Sequence, residues 1–416
     1  MDKHRKILGV STTVFTLGIV SFLTDVSSEM LIPIVPQFLS FVLGAPAIYI
    51  GLIEGIAEST ASLLRVWAGY IADRTGRPKL LTMIGYGVSA LSKPLFVAAS
   101  SWSHVLGIRF ADRFGKGVRS APRDVLIADA TEPECRGRAF GLHRAMDTAG
   151  ATLGPLVALL LVWLLVGRFA PEALGERRAV YTVVFLAATV PAVFGWLVLA
   201  VFVPERRREE GAAQKPTLKL SEFGTPFKLF LAIVTLFAIG NSSDAFLVLR
   251  ATTSRADGGI GMPFMTFLLV FVSFNAVQAV VSYRSGILSD KVGRRPVVIA
   301  GWLVFAVCYF AIARITTQFG VWIWYIVYGV YYGMTEGMLR AYAIDLAPAH
   351  LRGTAVGAYY TFTGVALLPA SLIAGLLWDA VGPAAPFYYG AVTSVVAAVL
   401  LTVFIRPRRS SESSEA

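Results

Sequence analysis

Five bases fall within the stretch RFADRFGKGVRSAPRDVLIAD, Arg109 to Asp129, of a chain that is otherwise overwhelmingly apolar. Arg109, Arg113, Lys116, Arg119 and Arg123 recur at spacings of four, three, three and four, which at about 100° per residue confines them to about 120° of one helix face. A charge at mid-bilayer costs about 2.5 to 3.5 kcal/mol on insertion scales, so such a stripe must face a wet cavity or be paired by acids on neighbouring helices. Acids are available nearby. Glu54 and Glu58 share a helix face with Arg65, Asp25 and Glu29 stand one turn apart, and His143, Arg144 and Asp147 fall on a later segment. A buried carboxylate is driven toward its neutral form by desolvation and toward its ionised form by an adjacent arginine, which is the chemistry of reversible proton binding. Arg113 with at least one of Asp25, Glu29, Glu54, Glu58 and Asp147 is therefore expected to form a proton-coupling unit. The plainer alternative is a static ion-pair network that holds the helices together.

The second half of the chain differs in kind. Its polar interior residues are Asn275 and Gln278, then Tyr325, Tyr328, Tyr331 and Tyr332, then Tyr359 and Tyr360, with Glu336 and Arg340 as its intramembrane charges. Phenols with polar tips suit the wall of a substrate site as well as ordinary packing. The expected cavity combines Arg109, Lys116, Arg119, Arg123, His143 and Arg144 with Asn275, Gln278, Tyr328, Tyr332, Glu336 and Tyr359. Met334 with Met338, or His143 with Met146, would be the donors of a soft-metal site, but four histidines and two distant cysteines give no recognised ligand spacing. Neither a phosphate loop nor a nucleophile motif occurs, so ATP drive, a cofactor and enzymatic catalysis are not expected.

These residues need a membrane scaffold to position them. The 416 residues are 56% hydrophobic with a mean hydropathy of +0.67, beyond the composition of soluble domains. Uncharged runs such as 179–203, 258–283, 315–335, 353–378 and 380–405 each exceed the length a span requires. With the mixed segments they predict an all-α membrane protein of twelve transmembrane helices. The apolar run Ile7 to Thr24 follows bases as a signal peptide would, yet no small-x-small cleavage site follows, and Asp25 to Glu29 continues the helix. The net charge of +11 is spread over loops rather than gathered on a module, which speaks against nucleic acid. One set of alternate loops holds 20 Lys or Arg and the other 6, so both termini are expected in the cytoplasm, in the inner membrane.

The chain also repeats. Gly69, Asp73, Arg74, Gly76 and Arg77 follow the second span, and Gly286, Asp290, Gly293 and Arg294 follow the eighth, with Gly, Asp and Arg offset by 217 residues. Asp129 and Arg136-Gly137 return as Asp345 and Arg352-Gly353, and Ser27-Ser28-Glu29 returns as Ser242-Ser243-Asp244. Two six-helix bundles are therefore expected, over 1–203 and 224–416, joined by a charged linker over 204–223.

A Gly-x-x-x-Asp-Arg-x-Gly-Arg loop repeated after the second and eighth spans of a duplicated chain resembles the major facilitator superfamily. Arg113-Phe-Gly-Lys116-Gly117 is similar to that family's Arg-x-x-Gln-Gly signature, with Lys116 in place of Gln. Gly150-Ala-Thr-Leu-Gly154-Pro155 followed by Ala158 is similar to the helix-5 packing motif of its proton-coupled antiporters. The resemblance implies alternating access, with the Asp73 and Asp290 loops as conformational latches, and a small-molecule substrate, protons and the bilayer as partners of a protein expected to be a monomer. Export of a small, anionic or amphipathic organic compound is the leading expectation. Proton symport of a metabolite, metal or metal-complex export, an intramembrane enzyme and a non-transporting sensor are the alternatives.

Overall fold

The computed structural model describes residues 6–7, 10–132, 136–166, 178–205, 220–348 and 351–405. Among them, regular structure is helical apart from a short antiparallel ladder, Lys6–Ile7 against Val10–Ser11. Twelve long helices follow: α1 Thr12–Leu31, α2 Ala47–Thr75, α3 Pro78–Leu95, α4 Trp102–Asp129, α5 Arg136–Val166 and α6 Arg178–Phe202. The second set is α7 Thr225–Gly240, α8 Phe264–Val292, α9 Arg294–Arg314, α10 Gln318–Asp345, α11 Arg352–Ala380 and α12 Ala385–Phe404. Two spans are interrupted. After α1, Pro33 removes a backbone donor and the chain continues as a short helix, Ile34–Gln37, and a π-turn, Phe38–Val42. After α7 the backbone leaves helical geometry at Asn241 and resumes as Ala245–Thr252.

Among the described residues, ten spans are long and apolar enough to cross a membrane. The two long helices outside that set are α4, which carries the bases, and α10, which carries the tyrosines. They occupy equivalent places in the duplication. Both contain 28 residues, and each boundary of α10 lies 216 positions after that of α4. This register sets Arg109 opposite Tyr325, Asp112 opposite Tyr328 and Lys116 opposite Tyr332 in the repeat. The helices α2 and α8 match in the same way, at 29 residues each.

In the first half α4 packs on α2 and α3, while α1 packs on α5 and α6; in the second, α10 packs on α8 and α9, and α7 on α11 and α12. The halves meet mainly through α2 with α11 and α5 with α8. Large apolar side chains such as Trp163, Phe194, Val201 and Val392 point outward, as required of a surface solvated by lipid. The loop glycines Gly76 and Gly293 have φ of 61° and 88°, a conformation that glycine alone adopts without strain, and this permits the tight reversals into α3 and α9.

Call the side where α1 begins and α12 ends the terminal face, and the opposite side the far face. At the far face the Asp379 carboxylate reaches across from α11 and accepts hydrogen bonds from Ala47 N at 3.1 Å and Ile48 N at 2.9 Å. It thus caps α2, whose own N-cap residue, Pro46, supplies no side-chain bond. Gln37 donates to Thr252 beside it. Further in, a Cβ on Gly51 would lie 2.1 Å from the Ser371 carbonyl oxygen, Ser59 Oγ donates to Gly364 O at 2.6 Å, and the Arg65 guanidinium lies 4.6 Å over the Tyr360 ring. The far face is closed by this seam. Arg250, toward the same face, is buried, and its guanidinium donates to the carbonyls of Ile312, Ala313 and Ile315. It satisfies carbonyls that the end of α9 leaves without helical partners.

Candidate functional site

The stripe on α4 is met by acids from its neighbours. Arg109 Nη2 donates to Glu54 Oε2 at 2.5 Å, and Arg113 Nε lies 3.0 Å from Glu58 Oε1. Both acids come from α2 and turn to α4, whereas Arg65, which shares their face by spacing, turns to Tyr360 of α11. Arg113 also stands 4.0 Å from Asp112. Arg119 lies over the Tyr86 ring at 4.5 Å, and Arg123 donates to Ser21 Oγ at 2.9 Å and to Asp124. Lys116 is within electrostatic reach of Asp25, Glu29 and Glu58. Among the described residues neither Lys116 nor Arg119 has a carboxylate at ion-pair distance. His143 Nε2 meets Ser21 Oγ at 2.9 Å, and its Nδ1 lies 3.7 Å from Asp147.

Of the five carboxylates named for Arg113, the structure brings Glu58 to it. Glu54 belongs to Arg109, Asp147 to His143, and Asp25 and Glu29 stand on α1 facing Lys116. Sequence reading missed the most enclosed pair. Lys93 is 0% exposed and lies 3.4 Å from Asp112 Oδ1, which also accepts from Ser89 Oγ at 2.5 Å. A lysine beside Pro94 at the end of an apolar span reads as an interfacial anchor, whereas the fold carries it inward.

On the second half, Tyr328 departs from its expected place on the cavity wall. It is 1% exposed, stacked on Phe274 at 5.7 Å, and donates to Asp244 Oδ1 at 3.1 Å. The position equivalent to Asp112 is thus an interior one in both halves, and the large ring is absorbed into a cluster with Phe305, Tyr309 and Tyr331. Tyr332, half-buried, donates to Asp244 Oδ2 at 3.2 Å. Tyr359 is half-buried beside Tyr360. Asn275 turns back on its own helix and donates to Phe271 O at 3.1 Å. Asp244, absent from the expected site, was legible as the repeat partner of Glu29.

Between the halves, Arg144 of α5 lies 3.5 Å from Glu336 of α10, with side chains 63% and 43% exposed. Gln278 donates to the other Glu336 oxygen at 3.1 Å. Arg340 donates to Tyr360 Oη at 3.1 Å, on the ring that Arg65 covers from α2. Arg65, Arg144 and Arg340 thus gather at the seam around Glu336 and Tyr360, with Glu58, its side chain 36% exposed, about two turns from Arg65 on α2.

The helix-5 glycines mark a close crossing. A Cβ on Gly150 would lie 2.5 Å from Phe22 O, and one on Gly154 would lie 2.6 Å from Val26 O and 2.9 Å from Glu29 Cβ. Pro155 sits within the same helix, next to the crossing. Along the loops, Gly69 lies within α2 and Arg74 in its last turn, Arg77 precedes α3, and Gly286 lies within α8. Arg294 Nε stands 3.6 Å from Asp345 at the end of α10. The Asp73 and Asp290 side chains lie outside the described residues.

Twelve helices in two sets of six, in matching register and with ionised groups lining the seam between them, define a membrane transporter. The chain belongs to the major facilitator superfamily, whose sequence signature matches residues 17–369 and 259–416. An uncharacterized MFS-type transporter of Methanocaldococcus jannaschii is 33% identical over 394 residues, covering 94% of each chain. The cis,cis-muconate transport protein of Acinetobacter baylyi is 23% identical over 372 residues, covering 86% of each. Among solved structures, a point mutant of the nucleoside transporter NupG superposes with a TM-score of 0.80 at 12% identity, over 95% of this chain and all of that one, a likeness of fold. The chain is a multi-pass membrane transporter and not an enzyme.

Proposed function

We propose that this protein is a proton-coupled secondary transporter that exports a small amphipathic organic anion by alternating access. The observation that carries the substrate class is the seam, where the bases Arg65, Arg144 and Arg340 gather around Glu336 and the tyrosine rings 359 and 360. An exposed ion pair is worth only about 0 to 1 kcal/mol, so a substrate carboxylate can displace Glu336 from Arg144 at little cost. Its apolar body then lies on the phenol wall. The muconate transport protein among the relatives, whose named substrate is a carboxylate, supports this class.

Arg113 with Glu58 is the unit in the first half to which we assign proton coupling. Arginine stays charged at any working pH, and sliding α4 against α2 would change how strongly it holds the carboxylate in ionised form. Residues 1–203 and 224–416 act as the two moving bodies and 204–223 as their tether. The Asp73 and Asp290 loops serve as latches at the terminal face, which the loop charges assign to the cytoplasm. Export follows from the similarity of the Gly150 to Ala158 segment to antiporter helices. The protein works as a monomer in the cell's inner membrane.

Purified protein in proteoliposomes with an internal pH dye, challenged with a panel of unsaturated and aromatic carboxylates that includes cis,cis-muconate, tests the reading. Substrate gradients should drive proton flux in the opposite direction. Flux in the same direction would replace antiport by symport, and substrate movement indifferent to an imposed pH gradient would refute proton coupling.

A further inference from the structure

We infer that Asp244, at the break between α7 and the helix Ala245–Thr252, is a second proton-binding site, set in the half of the protein that lacks the base stripe. The inference rests on the proton-coupled reading above and adds a site to it.

Asp244 stands in for Glu29 in the repeat, and Tyr332 for Lys116. The first-half acid therefore has an ammonium group within electrostatic reach and the second-half acid has a phenol bonded to it. Both Asp244 oxygens are held by neutral donors, Tyr328 Oη at 3.1 Å and Tyr332 Oη at 3.2 Å. The other titratable groups facing it are Glu54 and Glu58 of α2, Tyr309 of α9 and Tyr331 of α10. Phe267, Phe271 and Phe274 of α8 close the remaining side. Among the described residues no base lies within ion-pair distance. Glu54, Glu58, Asp112, Asp147 and Glu336 each have a base or a histidine at ion-pair distance, while Asp25 and Glu29 have Lys116 within electrostatic reach. An ionised Asp244 is thus an uncompensated charge about 12 Å inside the far end of its span, by the rise of about 1.5 Å per residue.

The surrounding cluster also holds buried polar atoms without partners, Asn241 Oδ1 and Tyr309 Oη. Asn241 donates through its amide to Tyr331 Oη at 3.1 Å, but its Oδ1 is buried and unpartnered, an uncommon state for an interior acceptor. A proton added to one Asp244 oxygen turns that oxygen from acceptor to donor. The phenol bonded to it then accepts, and its own hydrogen is freed for another acceptor in the cluster. The bookkeeping balances with one proton taken from water and none released. The cavity beside Asp244 is about 10 Å³, room for about one water and no organic ligand, so the group serves protons rather than substrate. Because its bonds tie α7 to α10, protonation alters the seam between a substrate-bearing helix and the helix that leads to the far face.

The test is infrared difference spectroscopy of the full chain in lipid, without substrate, as pH is lowered. The carbonyl band of a protonated carboxyl group should appear, lose one group's amplitude in Asp244→Asn, and shift in frequency in Tyr332→Phe, which keeps the acid and removes one partner. Glu58→Gln should leave that component in place. A band unchanged in Asp244→Asn overturns the assignment. If that variant does not fold, a band whose frequency is unaltered in Tyr332→Phe overturns it equally. Because no substrate is present, either result stands whether or not the transport assay finds proton-linked flux.

Discussion

Removing the Asp379 carboxylate should open the far face. The carboxylate is a helix cap supplied by the opposite half, so its two hydrogen bonds to Ala47 N and Ile48 N exist only while the halves are closed there. Loss of a capping side chain costs about 0.5 to 2 kcal/mol, and loss of an anion at a helix N-terminus costs about 0.3 to 1 kcal/mol, part of the same effect. A combined loss of about 1.4 kcal/mol in Asp379→Ala corresponds to about a 10-fold shift from closed to open. Asp379→Asn keeps one acceptor and should shift the balance by less, about 3-fold at half that energy. Spin labels at Phe41 and Val381, which are exposed near the far face on opposite halves, would report the change as growth of the long-distance population. Should the distance distributions of Asp379→Ala and the unsubstituted chain coincide at several pH values, the cap contributes no differential energy between conformations. The reading of Asp379 as a cap that holds the far face closed would then fail.

Two further substitutions probe the packing beneath the site. Gly154→Leu places side-chain atoms where Val26 O would already be 2.6 Å from a Cβ; it should lower the melting temperature by an overpacking cost of about 1 to 3 kcal/mol or prevent assembly. A normal melt with normal coupled transport would show that α1 and α5 can separate there freely. Lys93→Met strands the Asp112 carboxylate and should destabilise by about 3 to 5 kcal/mol, whereas Lys93→Met with Asp112→Leu should recover most of the loss. Thermal unfolding in detergent decides this, and a single variant as stable as the double one would mean that Asp112 is fully served by Ser89 and Arg113.

The architecture was legible because it is written in long periods. Spans follow from uninterrupted apolar runs, and the duplication follows from Gly, Asp and Arg recurring at nearly fixed offsets. Pairings within the bundle were legible only in part. Glu54 and Glu58 announce a charged face on α2, but whether Arg113 meets one of them or Asp25 on α1 depends on the rotation and depth of each helix, which hydropathy does not encode. Tyr328 misled for the same reason, since polar tips on a helix say nothing of whether the tips turn toward a cavity or toward a carboxylate on the next helix. Lys93 carried no signal, because a single base near a span end is ordinary. Asp379 is an acid at a span end as well, and its role depends on meeting a helix start more than 300 positions earlier.

The common register of α4 and α10 bears on what a cargo molecule meets. Along equivalent stretches of the two helices one half sets guanidinium groups held by acids, Arg109 with Glu54 and Arg113 with Glu58, and the other sets phenols packed among themselves and on a carboxylate. The interior on either side of the seam is therefore unlike in charge, an asymmetry that runs parallel to the plane of the bilayer. On the proposed reading, a cargo with one charged and one apolar pole would meet different surroundings at its two ends, and molecules of equal size but shuffled polarity should be refused.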